Sequence, residues 1–257
     1  MLTMSDLVRT EQHGATLVIT LDRPRARNAV NREVSLAMAG ALDLLDSDDG
    51  LVVAIITGAG GNFCSGMDLK AFAAGERPEI EGRGFAAITE APPAKPVIAA
   101  VEGYALAGGC ELALACDLIV ASQTAVFGLP EVTRGLVAGA GGLLRLPQRI
   151  PRQIALEIAI TGRQLPAAEA HQWGLVNRLT DEGGALEEAL SLASSITANG
   201  PLAVQMTKRI MSESASWPTE EMWDIQRPLV DAVLGSNDAN EGALAFAERR
   251  PAVWSGT

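Results

Sequence analysis

Aromatic side chains are scarce, at 4% of 257 residues. A core short of rings is built from aliphatic groups and closely approaching backbones, and 26 glycines together with abundant alanine suit that design. Cysteine is sparse as well. Cys64, Cys110 and Cys116 make no even framework, their spacing is not that of a zinc site, and there are only two histidines. They read as inert reduced thiols, which suits a cytoplasmic protein. No run of about 18 apolar residues exists, so no membrane span is expected. Residues 1–6 lack a basic segment and an apolar one, so no signal peptide is expected. Positive charge is short too: 20 Lys and Arg stand against 31 Asp and Glu, for a net charge of −11. That balance opposes a general nucleic-acid or anionic-membrane surface, and an anionic ligand would need a few local cations.

What is present is an alternation of strand and helix signals. Leu17–Leu21 is a β-rich run stopped at Asp22-Arg23-Pro24. Asn31 is placed to cap a helix with apolar positions at Val34, Met38, Leu42 and Leu45. Val52–Thr57 and Val97–Val101 read as buried strands, Gly108–Ala115 as a helix, and Leu118–Ala121 as another strand. From about residue 139 the chain reads as helices: Gly139–Arg149, Gln153–Ile160, Ala167–Trp173, Ala185–Ala198, Leu202–Ser212, Thr219–Leu234 and Asn237–Glu248, punctuated by prolines. The fold class is α/β. Residues 1–198 are expected to form the core and 199–257 a helical module, whose apolar faces (Leu202, Met206, Ile210; Met222, Ile225, Leu229, Val233) are too extensive for a short bundle to hide.

Two glutamates stand out. Glu111 lies in an apolar stretch just past the glycine pair Gly108-Gly109, and Glu131 follows Pro130 in an apolar loop. A carboxylate in such surroundings is costly unless it is paired or has a task. Two of them near a helix N-terminus point to acid–base chemistry on a substrate that develops negative charge. A peptide N–H at Met67 and another at Gly108 would make an oxyanion hole if they converged on one oxygen. Other glycine clusters fail their tests. Gly61–Gly66 has the outer spacing of a phosphate loop, but Met67-Asp68 stands where Lys-Ser/Thr is required, and no Gly-x-Ser-x-Gly elbow is present. His13 and His171 are read as structural or surface residues.

Several segments, in this order, resemble the crotonase superfamily of enoyl-CoA hydratases and isomerases: 21–29, 63–70, 95–113, 127–131, 139–142, 145–147, 161–163, 167–176 and 241–250. The resemblance covers almost the whole chain. It implies a spiral of β-β-α turns with C-terminal helices that build a homotrimer, often doubled to a homohexamer. It implies an acyl-CoA thioester substrate, with no cofactor besides the coenzyme A of the substrate and no metal. Met67 and Gly108 fall on the oxyanion-hole positions, and Glu111 and Glu131 on the two catalytic acids. Arg25, Ala26 and Arg27 fall on a coenzyme A-contacting segment, with Ser65, Asp68, Leu69 and Lys70 on a second. Phe246 and Arg249 fall on C-terminal positions that reach coenzyme A, in some members from a neighbouring subunit.

The activity implied is reversible addition of water to a 2-enoyl-CoA, with Glu111 activating water and Glu131 giving the α-proton. The segments 127–147 and 241–254 are similar to the carnitinyl-CoA dehydratase branch, and an isomerase needs only one of the two acids. A reading of another class, a non-catalytic or RNA-binding member of the fold, is opposed by the acidic charge and the intact glutamate pair. Two departures from the family pattern stand beside the site. Ala107 replaces the first of three glycines, a change expected to matter little, and Ala138 replaces a frequent proline.

Overall fold

The computed structural model describes residues 6–257. Along the chain come β1 (Val8–His13), β2 (Thr16–Leu21), α1 (Arg32–Ser47), β3 (Val53–Gly58), α2 (Leu69–Ala73), β4 (Val97–Val101), β5 (Tyr104–Leu106), α3 (Gly108–Ala115), β6 (Leu118–Ser122) and β7 (Val126–Gly128). A 3-10 turn, Pro130–Arg134, leads to α4 (Gly142–Arg149), α5 (Arg152–Thr161), β8 (Leu165–Pro166), α6 (Ala167–Gln172), β9 (Arg178–Thr180), α7 (Ala185–Thr197), α8 (Pro201–Glu213), α9 (Met222–Leu234) and α10 (Asn237–Glu248).

A six-stranded sheet has the order β1-β2-β3-β4-β6-β9, antiparallel only at β1-β2. A second sheet has the order β5-β7-β8. Each of β4 and β6 hands the chain to a short strand of the second sheet, and this repeated strand pair is the turn of the expected spiral. The inner strands of the large sheet, β2, β3, β4 and β6, are buried on both faces, while the edge strands β1 and β9 are partly exposed. Ala185, Ala189 and Ala193 of α7 lie four residues apart, and their small side chains let the helix sit against Val18, Val53, Ile55, Ile98 and Val120. The opposite face packs on α1, where Asn31 caps the helix by accepting from the Val34 amide at 3.1 Å and Val34, Met38, Leu42 and Leu45 are buried as the periodicity requires.

The helical reading after residue 139 holds, with shifted boundaries. The α4 helix begins at Gly142, because Gly141 is left-handed at φ 96°, and α9 begins at Met222. Strands β5, β7, β8 and β9 are two or three residues long, too short to carry a periodic signal. Glu131 sits within the 3-10 turn opened by Pro130, where a loop was expected. The helices α8 and α9 bury no residue in the single chain. Lys208 of α8 fastens this module to the core through Asp117 Oδ2 at 2.7 Å and the carbonyls of Pro93 and Lys95.

Candidate active site

The site forms where the two sheets part. Residues 63–66 run beside β5: the Cys64 amide donates to Tyr104 O at 2.9 Å, and Cys64 O accepts from the Leu106 amide at 3.1 Å. On its other side this segment meets Val30, whose N–H donates to Gly66 O and whose carbonyl accepts from the Asp68 amide. The extended chain therefore turns the Met67 N–H away from Val30, and among the described residues it has no backbone partner. The Gly108 N–H, first in α3, likewise has none. The two donors are neighbours, since a Cβ on Gly66 would stand 2.9 Å from the Gly108 nitrogen. A Cβ on Gly109 would stand 2.0 Å from Cys64 O, so the helix start can approach the loop this closely only as glycine.

Ala107 introduces that helix with φ 51° and ψ −129°, a conformation that strongly favours glycine. The replacement places a strained backbone next to the Gly108 N–H. Such a conformation costs about 1–3 kcal/mol, partly offset in a glycine variant by the greater freedom of its unfolded chain. Ala107→Gly is expected to raise stability by about 1 kcal/mol, a rise in thermal midpoint of about 2–4 °C. Thermal denaturation checks this, and a lower midpoint would contradict it.

Glu111 follows on α3 and is 3% exposed. Its Oε1 accepts from the amides of Ala140 and Gly142, at 2.8 and 2.9 Å, where α4 begins. Gly142 has no side chain to stand in the way, for a Cβ there would meet Glu111 Cγ at 2.9 Å. Burial pushes the Glu111 pKa up to about 7. The Gly142 and Ala140 amides and the Arg145 charge oppose the rise, and the Glu131 charge adds to it. Glu131 is also raised, chiefly by burial. Its Oε2 is buried and has no hydrogen-bond partner. The two interacting carboxyls differ in their partners: one oxygen of Glu111 takes two peptide N–H groups, while Glu131 takes only its own amide and leaves Oε2 without a partner.

Sequence reasoning passed over Arg145 and Thr89. Arg145 Nη2 donates to Thr89 O and its charge acts on Glu111, while the Thr89 hydroxyl accepts from the Phe85 amide at 2.8 Å. The Phe85 ring stands where a Cβ on Gly108 would have to go. Arg145, on the helix whose N-terminal amides hold the Glu111 carboxylate, therefore braces the loop beside the Gly108 N–H. The signal in the sequence was an arginine in an apolar helix, which by itself reads as a surface residue.

The coenzyme A positions divide. Arg25, Arg27, Leu69 and Lys70 are exposed, and Arg27 lies over the Tyr104 ring at 5.4 Å. Ala26 and Ser65 are linked, since the Ser65 hydroxyl donates to Ala26 O at 3.3 Å and the Ser65 amide to Arg27 O. The Asp68 carboxylate pairs with Arg23 at 2.9 Å and caps α2 through the Lys70 and Ala71 amides. Burial alone would raise its pKa, yet these partners hold it below the ordinary value. Its side chain is thus engaged in holding the two segments together. Phe246 is 87% exposed and Arg249 is exposed at the end of α10, a helix that packs on α9, and the fold does not bring them to Glu111 within one chain.

The three cysteines are buried with thiol pKa values pushed up to about 12, chiefly by burial. His171 Nδ1 lies 2.8 Å from Val176 O, and His13 lies beside Glu11. Among the described residues, no cluster of three or more His, Cys, Asp or Glu is arranged to hold a metal, and no helix is long and apolar enough to cross a membrane.

Known proteins with this arrangement are numerous. The profile of the enoyl-CoA hydratase/isomerase family matches residues 11–257. A carnitinyl-CoA dehydratase of Salmonella typhi is 45% identical, over 98% of this chain and 100% of its own. The crystal structure of an enoyl-CoA hydratase from Mycobacterium tuberculosis H37Rv superposes with a TM-score of 0.97 at 60% identity, over 98% of this chain and 100% of its own. That of a carnitinyl-CoA hydratase from Mycobacterium avium superposes at 0.79 with 44% identity and the same coverage.

Proposed function

The chain belongs to the enoyl-CoA hydratase/isomerase family, the crotonase family of enzymes, and from that premise we propose that it adds water reversibly to a 2-enoyl-CoA. The observation that carries this reading is the pair of unlike glutamates beside two amides that have no partner among the described residues. Attack of water at the β-carbon drives charge onto the thioester oxygen. The Met67 and Gly108 N–H groups would receive that charge, each donor contributing about 3–4 kcal/mol to the transition state. Glu111, its carboxylate held by two amides, takes the proton from water. Glu131, whose pKa burial raises, gives a proton to the α-carbon. The reverse sequence is dehydration of a 3-hydroxyacyl-CoA, so the relatives named as dehydratases need no different machinery.

The proposed reaction uses no cofactor beyond the coenzyme A of its substrate. Hydration of crotonyl-CoA, followed by loss of the conjugated absorbance, tests the reading. Activity is expected to survive exhaustive chelation, and a requirement for a restored divalent ion would refute that part. A salt-dependent RNA titration run alongside is expected to show no tight binding.

We also propose a cytoplasmic trimer or dimer of trimers. The unburied apolar residues of the C-terminal helices support an assembly, among them Trp223, Leu234 and Phe246 at 66%, 68% and 87% exposure. In it, Arg249 reaches the anionic end of coenzyme A on a neighbouring subunit. Arg249→Glu is expected to raise KM more than it lowers kcat, with added salt narrowing the difference. An unchanged KM removes Arg249 from the site, and a fully active monomer in light scattering removes the assembly.

A further inference from the structure

Glu131 is also one wall of a cavity of about 340 Å³ that lies between the 3-10 turn, residues 137–138, α4 and α5. Its walls include Leu129, Val137, Ala138, Leu146, Ala155 and Ala159, and among the described residues the charged side chains that line it are those of Glu131 and Arg152. Among the described residues no aromatic ring lines it. Small side chains open the space: Ala155 and Ala159 lie one turn apart on α5, and Ala138 lies opposite, at the position where the sequence departs from a frequent proline. Leu129 ties the cavity to the first glutamate, since Leu129 Cδ2 and Glu111 Cγ crowd the same face of Gly142.

We propose that this chamber seats the distal part of the acyl group and that the preferred substrates are 2-enoyl-CoA esters with an apolar chain of about six to eight carbons, not esters bearing a quaternary ammonium such as carnitinyl-CoA. The assignment rests on the hydratase reading for its reaction but on the walls for its selectivity. A methylated cation is held by aromatic faces or by a carboxylate free to pair with it. Rings are absent here, and the one carboxyl is Glu131. A cation beside it would favour its ionised form and withdraw the proton it has to give. The positive Arg152 opposes a cation further. An apolar chain meets none of these costs, and its removal from water drives it into the chamber.

The test is a ladder of unbranched 2-enoyl-CoA esters with four, six and eight carbons, set beside carnitinyl-CoA. Each methylene that enters the chamber is expected to raise kcat/KM about fourfold, the equivalent of ~0.8 kcal/mol per buried CH₂. The eight-carbon ester is therefore expected to exceed crotonyl-CoA at least about tenfold, and carnitinyl-CoA to fall below both. Ala159→Phe fills the chamber, and it is expected to cut the eight-to-four ratio at least about tenfold. Equal efficiency on carnitinyl-CoA and the eight-carbon ester overturns the proposal. So does a flat ladder in the wild-type protein, which needs no variant to fold. An Ala159→Phe protein with altered oligomeric state and an unchanged ratio also overturns it, and makes the cavity a contact between copies of the chain. Calorimetric binding of the saturated esters separates this claim from the reaction. If no enoyl ester is hydrated but octanoyl-CoA binds at least about tenfold tighter than butyryl-CoA, the hydratase reading fails and the chamber stands.

Discussion

Glu111→Gln is expected to lower turnover at least about 100-fold, the usual scale for losing a general base, while raising thermal stability above pH 7. The amide keeps the shape of the carboxylate, and its oxygen still accepts from Ala140 and Gly142, so acyl-CoA binding should largely survive. The stability gain follows from the raised pKa, about 7 in the fold against an ordinary 4.5. A carboxyl whose folded pKa is raised binds its proton more tightly in the native state. Its contribution to stability is therefore full below the unfolded pKa and is lost as pH climbs towards 7. Above that pH the native enzyme carries the buried charge and the glutamine variant does not. The midpoints of the two proteins are expected to diverge by a few degrees between pH 5 and 8, the variant rising relative to the parent. Scanning calorimetry across that range measures it. A constant offset at every pH would mean that Glu111 is ionised throughout and held as a structural anion. The activity profile of the native enzyme should show the same group as a rise in kcat/KM towards pH 7, since water activation needs the carboxylate.

Gly109→Ala is expected to be the most damaging single-methyl change in the site. The added Cβ would lie 2.0 Å from Cys64 O and 2.6 Å from its carbonyl carbon. Neither can step aside cheaply, because Cys64 is bonded to the backbone of β5 on both its N–H and its C=O. The start of α3 must move instead, and the Gly108 donor and Glu111 move with it. We expect a loss of about 3 kcal/mol in stability and at least about 100-fold in turnover, the upper end of overpacking combined with a displaced oxyanion donor. Gly108→Ala is the control. Its Cβ meets the Phe85 ring, at 2.7 Å, and a side chain yields more readily than a peptide. Gly108→Pro, in contrast, deletes the donated N–H and should fall with Gly109→Ala in activity. Single-turnover rates and denaturation curves for the three variants give the ranking. Near-native rates in Gly109→Ala would show that the helix start tolerates displacement.

The outcome at each glycine explains how far the sequence could be read. Local physics was legible wherever one element decides its own shape. The Asn31 cap, the stripe of α1, the apolar runs of β3 and β4, and the ends of α3 and α10 follow from nearest neighbours and periodicity, and the structure keeps them. Glu111 and Glu131 were visible because a carboxyl in an apolar stretch has a desolvation cost that demands a reason. The Met67 and Gly108 N–H groups could be named from a glycine-bearing loop and a glycine-opened helix start, and the family resemblance falls on the same two positions, but whether they converge is not written in any local pattern.

The tertiary structure alone decided which groups meet. Asp68 is drawn to Arg23 across 45 residues, and Arg145 to Thr89 across 56, by contacts no local pattern encodes. The strain at Ala107 depends on the angle at which β5 delivers the chain to α3. The short strands of the second sheet exist because longer neighbours place them, and the chamber beside Glu131 because four separate segments stop short of one another. A sequence sets what each residue costs to bury and which backbone angles it accepts. Distances between segments are set only when all those costs are minimised together, and it is distance that brings two glutamates and two amides together.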